Sequence, residues 1–266
     1  MDNEGRRTRI MSLQDLAIGV FDSGVGGIST LAALTHELPG ERFVYFGDTL
    51  HSPYGTKTTE EVQELTRNVV SNLEKDGIKA LVIACNTATG ASAAMLRAEK
   101  KYPVIGIEPA LKPAAERWRG GKILVMATPL TLRQPKFLNL MERFGEHAVP
   151  LPCPGLMELV EEENETQAEK YLVNIFRQWE TEEIDAVVLG CTHYVFLRPV
   201  LREMLPERIL ITDGNQGTAR QLRRVLASQN LLSGRKTGSV RMLTSGSAEK
   251  ILPVMQRLYE KAQRIL

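Results

Sequence analysis

Short apolar runs alternate with longer amphipathic stretches from residue 17 to the end of the chain. The runs at 17–21, 43–46, 78–83, 103–108, 123–126, 148–151, 184–189 and 209–212 are rich in β-branched residues and predict buried strands. The stretches between them predict helices. The clearest covers 58–75, with Val62, Leu65, Val69 and Leu73 on one face. Others are expected from the Gly-rich turn to about Leu38, from Asn86 to about Lys101, and over 112–118, 137–144, 165–179, 197–204 and 217–227. A linker at 229–238, a last strand at 240–243 and a last helix at 248–266 complete the pattern. Residues 1–16 lack a period and read as a frayed extension, with at most a packed turn beginning at Leu13 and Leu16. Strands that alternate with helices predict α/β architecture with mostly parallel sheets.

The apolar pattern repeats. Ile18-Gly19-Val20-Phe21-Asp22-Ser23 aligns with Ile123-Leu124-Val125-Met126-Ala127-Thr128 at an offset of 105 residues. The runs at 43–46 and 104–108 find partners at 148–151 and 209–213 at the same offset. The run ending in Cys85 matches the run ending in Cys191 at an offset of 106. A period this long is not a solenoid, whose repeats run to about 50 residues. It predicts two pseudo-symmetric three-layer α/β domains of about 100 residues each, facing each other across a cleft that holds the site. The expected border falls where each half's fourth strand ends. That assigns 1–108 plus 213–266 to the first domain and 109–212 to the second.

Composition changes little in this picture. The chain has 266 residues, 43% of them hydrophobic and 24% charged, as in ordinary globular proteins. A net charge of +1 gives no reason to expect nucleic acid or a membrane surface as a partner. No apolar stretch reaches the ~18 residues of a membrane span, and no apolar segment follows Arg6, Arg7 and Arg9 as a signal peptide requires. Three cysteines are an odd number for a disulfide framework, which favours the cytoplasm. No CxxC or His/Cys cluster suggests a metal.

Candidate chemistry gathers at the C-terminal ends of the strands, the edge where open α/β sheets bind ligands. Cys85 and Cys191 each stand just past a strand. Cys85 opens a helix with Asn86 and Thr87, a position that lowers a thiol pKa. Asp22-Ser23-Gly24-Val25-Gly26-Gly27 forms either an anion cradle or a turn capped by Asp22 or Ser23. The loop 47–55 is long for its place and ends in the turn Pro53-Tyr54-Gly55. His51 reads as a surface histidine and Cys153 as structural. Glu161-Glu162-Glu163 reads as a solvated face from which one carboxylate can turn inward. His193, two residues from Cys191, fits an acid–base role. Two thiols across one cleft suit two-base proton transfer at carbon. One thiol removes a proton from one face and the other returns a proton to the opposite face. Asp22 and His193 are the groups placed to tune them. No lysine motif suggests pyridoxal phosphate, so no cofactor is expected.

In order along the chain, Phe21-Asp22-Ser23-Gly24-Val25-Gly26-Gly27, Gly47-Asp48-Thr49, Pro53-Tyr54-Gly55, Ala84-Cys85-Asn86-Thr87-Ala88, Gly106-Ile107-Glu108-Pro109, Gly190-Cys191-Thr192-His193-Tyr194 and Thr244-Ser245-Gly246 resemble the glutamate racemases of the cofactor-independent aspartate/glutamate racemase superfamily. The resemblance implies interconversion of L- and D-glutamate, with D-glutamate supplied to peptidoglycan. It implies Cys85 acting on the D-enantiomer with help from Asp22, and Cys191 acting on the L-enantiomer with help from His193. Glu161 matches a further carboxylate of that family. Asp22, Ser23, Pro53, Tyr54, Gly55, Asn86, Thr87, Thr131, Thr192 and His193 match substrate-binding positions. A homodimer and a cell-wall precursor as activator are the partners it suggests. The chain departs from the pattern at Leu50-His51-Ser52 and at Ala127-Thr128-Pro129, near the expected substrate gate. The other readings are a racemase of aspartate or hydantoins, a decarboxylase on the same fold, and a non-catalytic glutamate-binding protein.

Overall fold

The structure is a computed structural model and describes residues 12–75 and 77–265. The first eleven residues of the expected extension lie outside the described residues. Residues 12–16 are not frayed. Leu13–Asp15 form a 3-10 turn, and the Gln14 carbonyl accepts a 2.7 Å hydrogen bond from the buried Lys79 ammonium. That ammonium also bonds the Leu231 carbonyl at 2.8 Å and pairs with Glu41 at 2.6 Å. A buried charge requires such partners, and they tie down both the extension and the linker.

Among the described residues, nine strands form two sheets. The first sheet holds β1 (Ala17–Asp22), β2 (Arg42–Gly47), β3 (Ile78–Ile83), β4 (Val104–Gly106) and the late strand β9 (Ser239–Thr244), in the order β4-β3-β1-β2-β9. The second holds β5 (Lys122–Ala127), β6 (Ala148–Pro152), β7 (Ile184–Leu189) and β8 (Leu210–Asp213), in the order β6-β5-β7-β8. Every pairing is parallel. Reversed, the second order is that of the first four strands of the chain. The duplication reaches the register. β1 and β3 shift register between Ala17 and Ile18, and β5 and β7 shift between Lys122 and Ile123.

Parallel strands need crossover helices, and these cover both faces of each sheet. α2 (Thr59–Glu74) and α3 (Asn86–Glu99) bury Val62, Val69, Leu73 and Leu96 against Phe21, Leu81 and Ile83. α2 starts at a capping box: Thr58 Oγ1 accepts from the Glu61 N–H, and the Glu61 carboxylate accepts from the Thr58 N–H. On the opposite face α1 (Ile28–Glu37) packs against α10 (Asn215–Ser228) and α11 (Ala248–Ile265). α4 (Leu111–Ala115) and α6 (Pro135–Phe144) bury Leu111, Phe137 and Leu140 against Ile123, Val125 and Val188. α7 (Leu156–Glu161), α8 (Glu165–Phe176) and α9 (Arg198–Met204) cover the other side. That core is continuous with the core over Ile18, Val20 and Tyr45, so one apolar mass joins the two halves.

Three elements differ from the sequence pattern. The helix expected over 137–144 is α6, but a short α5 (Pro129–Arg133) that was not expected precedes it, kept separate because Pro135 cannot donate the hydrogen bond that would continue α5. The helix expected over 112–118 is the shorter α4. α7 was not expected: it carries Glu161 in its last turn, on the run that reads as a solvated face.

Candidate active site

Cys85 leaves β3 as the N-cap of α3, where its sulfur accepts the Ala88 N–H at 3.4 Å. Ser23 Oγ lies 3.3 Å from the same sulfur. Cys191 follows β7 in the other sheet. Both cysteines and Ser23, Tyr54, Gly55, Asn86, Thr87, Thr131, Thr192 and His193 line one small cavity. Three further residues complete the wall: Thr128, Met157 and Gly190. Thr128 carried a signal, because it aligns with Ser23 in the repeat. Gly190 stood in the motif around Cys191, and Met157 carried none.

Asp22 and Pro53, expected at substrate-binding positions, and Glu161, expected as a further carboxylate of the site, do not line the cavity. Asp22 lies fully buried behind it, accepting the Gly24 N–H at 2.9 Å and the Thr192 hydroxyl at 3.2 Å. Pro53 precedes the turn that presents Tyr54. Tyr54 donates to Asp48 at 2.6 Å, and half-exposed His51 contacts the same carboxylate from outside. Glu161 turns inward and stands 2.8 Å from His193 Nε2.

His193 is held from both sides. Its Nδ1 is 3.7 Å from Cys191 Sγ. Gly26 leaves room for the ring, since a Cβ at that position would stand 2.3 Å from Nδ1. Burial pushes the imidazole pKa down, but hydrogen bonds and charge from Cys191 and Glu161 outweigh it, and the ring titrates well above its usual value. At neutral pH it is an imidazolium with an N–H for each neighbour. Burial likewise pushes Glu161 up, while His193 and the Val25 N–H pull its carboxyl below the usual range.

Cys85 corrects the expectation drawn from its helix terminus. Burial and the nearby Asp22 carboxylate push its pKa up to about 12, and the Ser23 hydroxyl and Ala88 N–H offset this only in part. Without substrate this favours the neutral thiol at Cys85. Asp22 itself is raised by burial, against the pull of His193, Gly24, Gly27 and Thr192. The thiols therefore differ in partners: Cys85 has a hydroxyl and a backbone N–H, Cys191 an imidazolium.

Cys153 is buried in the core, with its Sγ donating to the Leu151 carbonyl at 3.3 Å. All three cysteines are free. Among the described residues, no group of three or more His, Cys, Asp and Glu is placed to hold a metal ion. No described helix is long and apolar enough to cross a membrane. A cavity of about 1160 Å³ lies away from the thiols, lined by Arg97, Lys101, Lys112, Arg198, Arg220 and Arg224 among others.

Two duplicated α/β halves thus bring a thiol from each sheet to one cavity, beside the buried Asp22 carboxylate and His193 imidazole. The chain belongs to the Asp/Glu/Hydantoin racemase family, whose sequence model matches residues 22–222, and it is an isomerase. It is 49% identical over 257 residues to a glutamate racemase of Clostridium acetobutylicum, covering 94% of this chain and 100% of that one. A solved glutamate racemase isoform of Bacillus anthracis superposes with a TM-score of 0.84 at 32% identity, covering 93% of this chain and 95% of that one. The Escherichia coli glutamate racemase, solved with L-glutamate and the activator UDP-MurNAc-Ala, gives 0.80 at 31% identity, with 92% and 95% covered.

Proposed function

We propose that the protein interconverts L- and D-glutamate by a two-base mechanism with Cys85 and Cys191, without a cofactor. The observation that carries this is the pair of thiols from duplicated strands on one cavity, each with a different proton partner. In the L-to-D direction the Cys191 thiolate takes the α-proton, breaking the C–H bond and forming S–H, with the His193 imidazolium beside it. The carbanion then takes the proton of the Cys85 thiol on its other face. The reverse direction exchanges the two roles. Glu161 holds His193 charged, and Asp22 sets the field at Cys85.

The cavity wall has no lysine or arginine, so the substrate carboxylates meet hydroxyls and N–H groups of Ser23, Thr87, Thr128, Thr131 and Thr192. Asn86 Oδ1 is buried without a hydrogen-bond partner. It is an acceptor free for the substrate ammonium. The cavity measures about 10 Å³, the space of about one water. Glutamate is far larger, so the halves part to admit it. The division into 1–108 plus 213–266 and 109–212 is supported by the membership of the two sheets.

D-glutamate made this way would supply peptidoglycan. Free cysteines support a reducing, cytoplasmic location. The homodimer rests on the resemblance alone. A cell-wall precursor such as the activator in the E. coli structure is the proposed regulator, and the arginine-rich cavity suits its diphosphate.

Circular dichroism of the purified protein with L- and D-glutamate, aspartate and a hydantoin tests the reading. Glutamate is expected to lose its signal from both sides, and product formed in D₂O to carry deuterium at the α-carbon. No change in glutamate, or turnover of aspartate or hydantoin instead, overturns it.

A further inference from the structure

Gln134 belongs to none of the roles assigned so far. It is the residue between α5 and α6, in the second half, and its side chain is buried. Its Nε2 donates a 2.9 Å hydrogen bond to the carbonyl of Thr87, in the first turn of α3 in the other half. The amide lies on Gly90: a Cβ there would stand 1.7 Å from Gln134 Oε1. Glycine inside a helix is destabilising relative to alanine, so Gly90 needs a local reason, and the seated amide supplies it. The Thr87 hydroxyl meets Thr131 Oγ1 at 2.9 Å and Thr128 Oγ1 at 3.1 Å, and all three threonines line the cavity. Gln134 itself does not line it. The neighbouring Lys136–Glu108 pair, 2.9 Å long, also links the halves. It is exposed enough to contribute little.

We propose that Gln134 is a positioning residue: a latch across the cleft, seated on Gly90, that fixes α3 against the α5–α6 corner. In this way it holds the three-threonine hydroxyl cluster in register for the substrate carboxylate. The effect on KM rests on glutamate being the substrate. The latch does not.

The test compares Gln134→Ala, Gly90→Ala and the double variant. Alanine at 90 drives the amide off Thr87, while the helix itself gains. KM for L-glutamate is expected to rise about 2–10-fold in each single variant, the range one hydrogen bond supports, with kcat falling by a smaller factor. Without substrate, alkylation of Cys85 and Cys191 by iodoacetamide, followed by mass spectrometry, should accelerate by a similar factor. Once Gln134 is alanine, Gly90→Ala should add nothing. Lowered thermal stability with KM and alkylation rate unchanged would overturn the latch, as would additive effects in the double variant. If Gln134→Ala fails to fold, Gly90→Ala alone decides by the same two readouts. If the unaltered protein does not racemise glutamate, the proposed function fails, and the alkylation rates still decide the latch.

Discussion

Replacing Glu161 by glutamine removes one negative charge 2.8 Å from His193 Nε2 and keeps the side chain's shape. A hydrogen bond to a charged partner contributes about 1.5–3 kcal/mol and a neutral one about 0.5–1.5 kcal/mol. The difference, about 1–1.5 kcal/mol, equals about one pKa unit. Cys191 remains to hold the ring above its usual value. So Glu161→Gln should lower the His193 pKa by about one unit. The alkaline limb of kcat/KM, where the imidazolium loses its proton, should move down equally. The sign is fixed by linkage: a pKa raised on folding contributes stability fully present below the unfolded value of about 6.5 and lost as pH rises through the folded value. In the variant that loss completes about one unit earlier. The enantiomers of glutamate have equal free energy, so kcat/KM must change by the same factor in both directions, and any asymmetry shows in kcat and KM separately. The measurements are circular-dichroism rates from each enantiomer across the alkaline range and an NMR titration of His193. A limb that stays in place, or a His193 pKa that holds or rises, would refute the argument.

Two other predictions follow from the thiols. Cys85→Ser and Cys191→Ser should each cut racemisation by about 10²–10⁴-fold or more, the usual share of a general acid–base group. Each should still eliminate a leaving group from a β-substituted glutamate, because elimination needs one base, and the two should prefer opposite enantiomers. Elimination from the same enantiomer by both would rule out thiols on opposite faces. Cys153, outside the mechanism, is pushed by burial from 9.0 up to about 12. A raised thiol pKa contributes stability that is lost as pH rises between those values, at about 1.4 kcal/mol per unit. Denaturant titrations at pH 8 and pH 10 should therefore show a smaller alkaline loss for Cys153→Ala than for the unaltered protein. Equal losses would contradict the assignment.

The strands, most of the helices and the duplication were legible because their signals are local. A buried parallel strand is a short apolar run, and a crossover helix shows a 3.6-residue period. The same signals placed both cysteines at strand ends. They even contained Thr128, which stands opposite Ser23 in the repeat. What the sequence left open depends on contacts between distant segments. Glu161 reads as part of a charged surface run and becomes a partner of His193 only because α7 turns it inward. Gly90 looks like a defect in α3 until Gln134, 44 residues away, lies on it. Cys85 shows the division most directly. Its place at a helix N-terminus is a local fact and predicts a lowered pKa. Its burial beside Asp22 is a tertiary fact and decides the opposite, because desolvation of a thiolate outweighs a helix dipole once water is excluded.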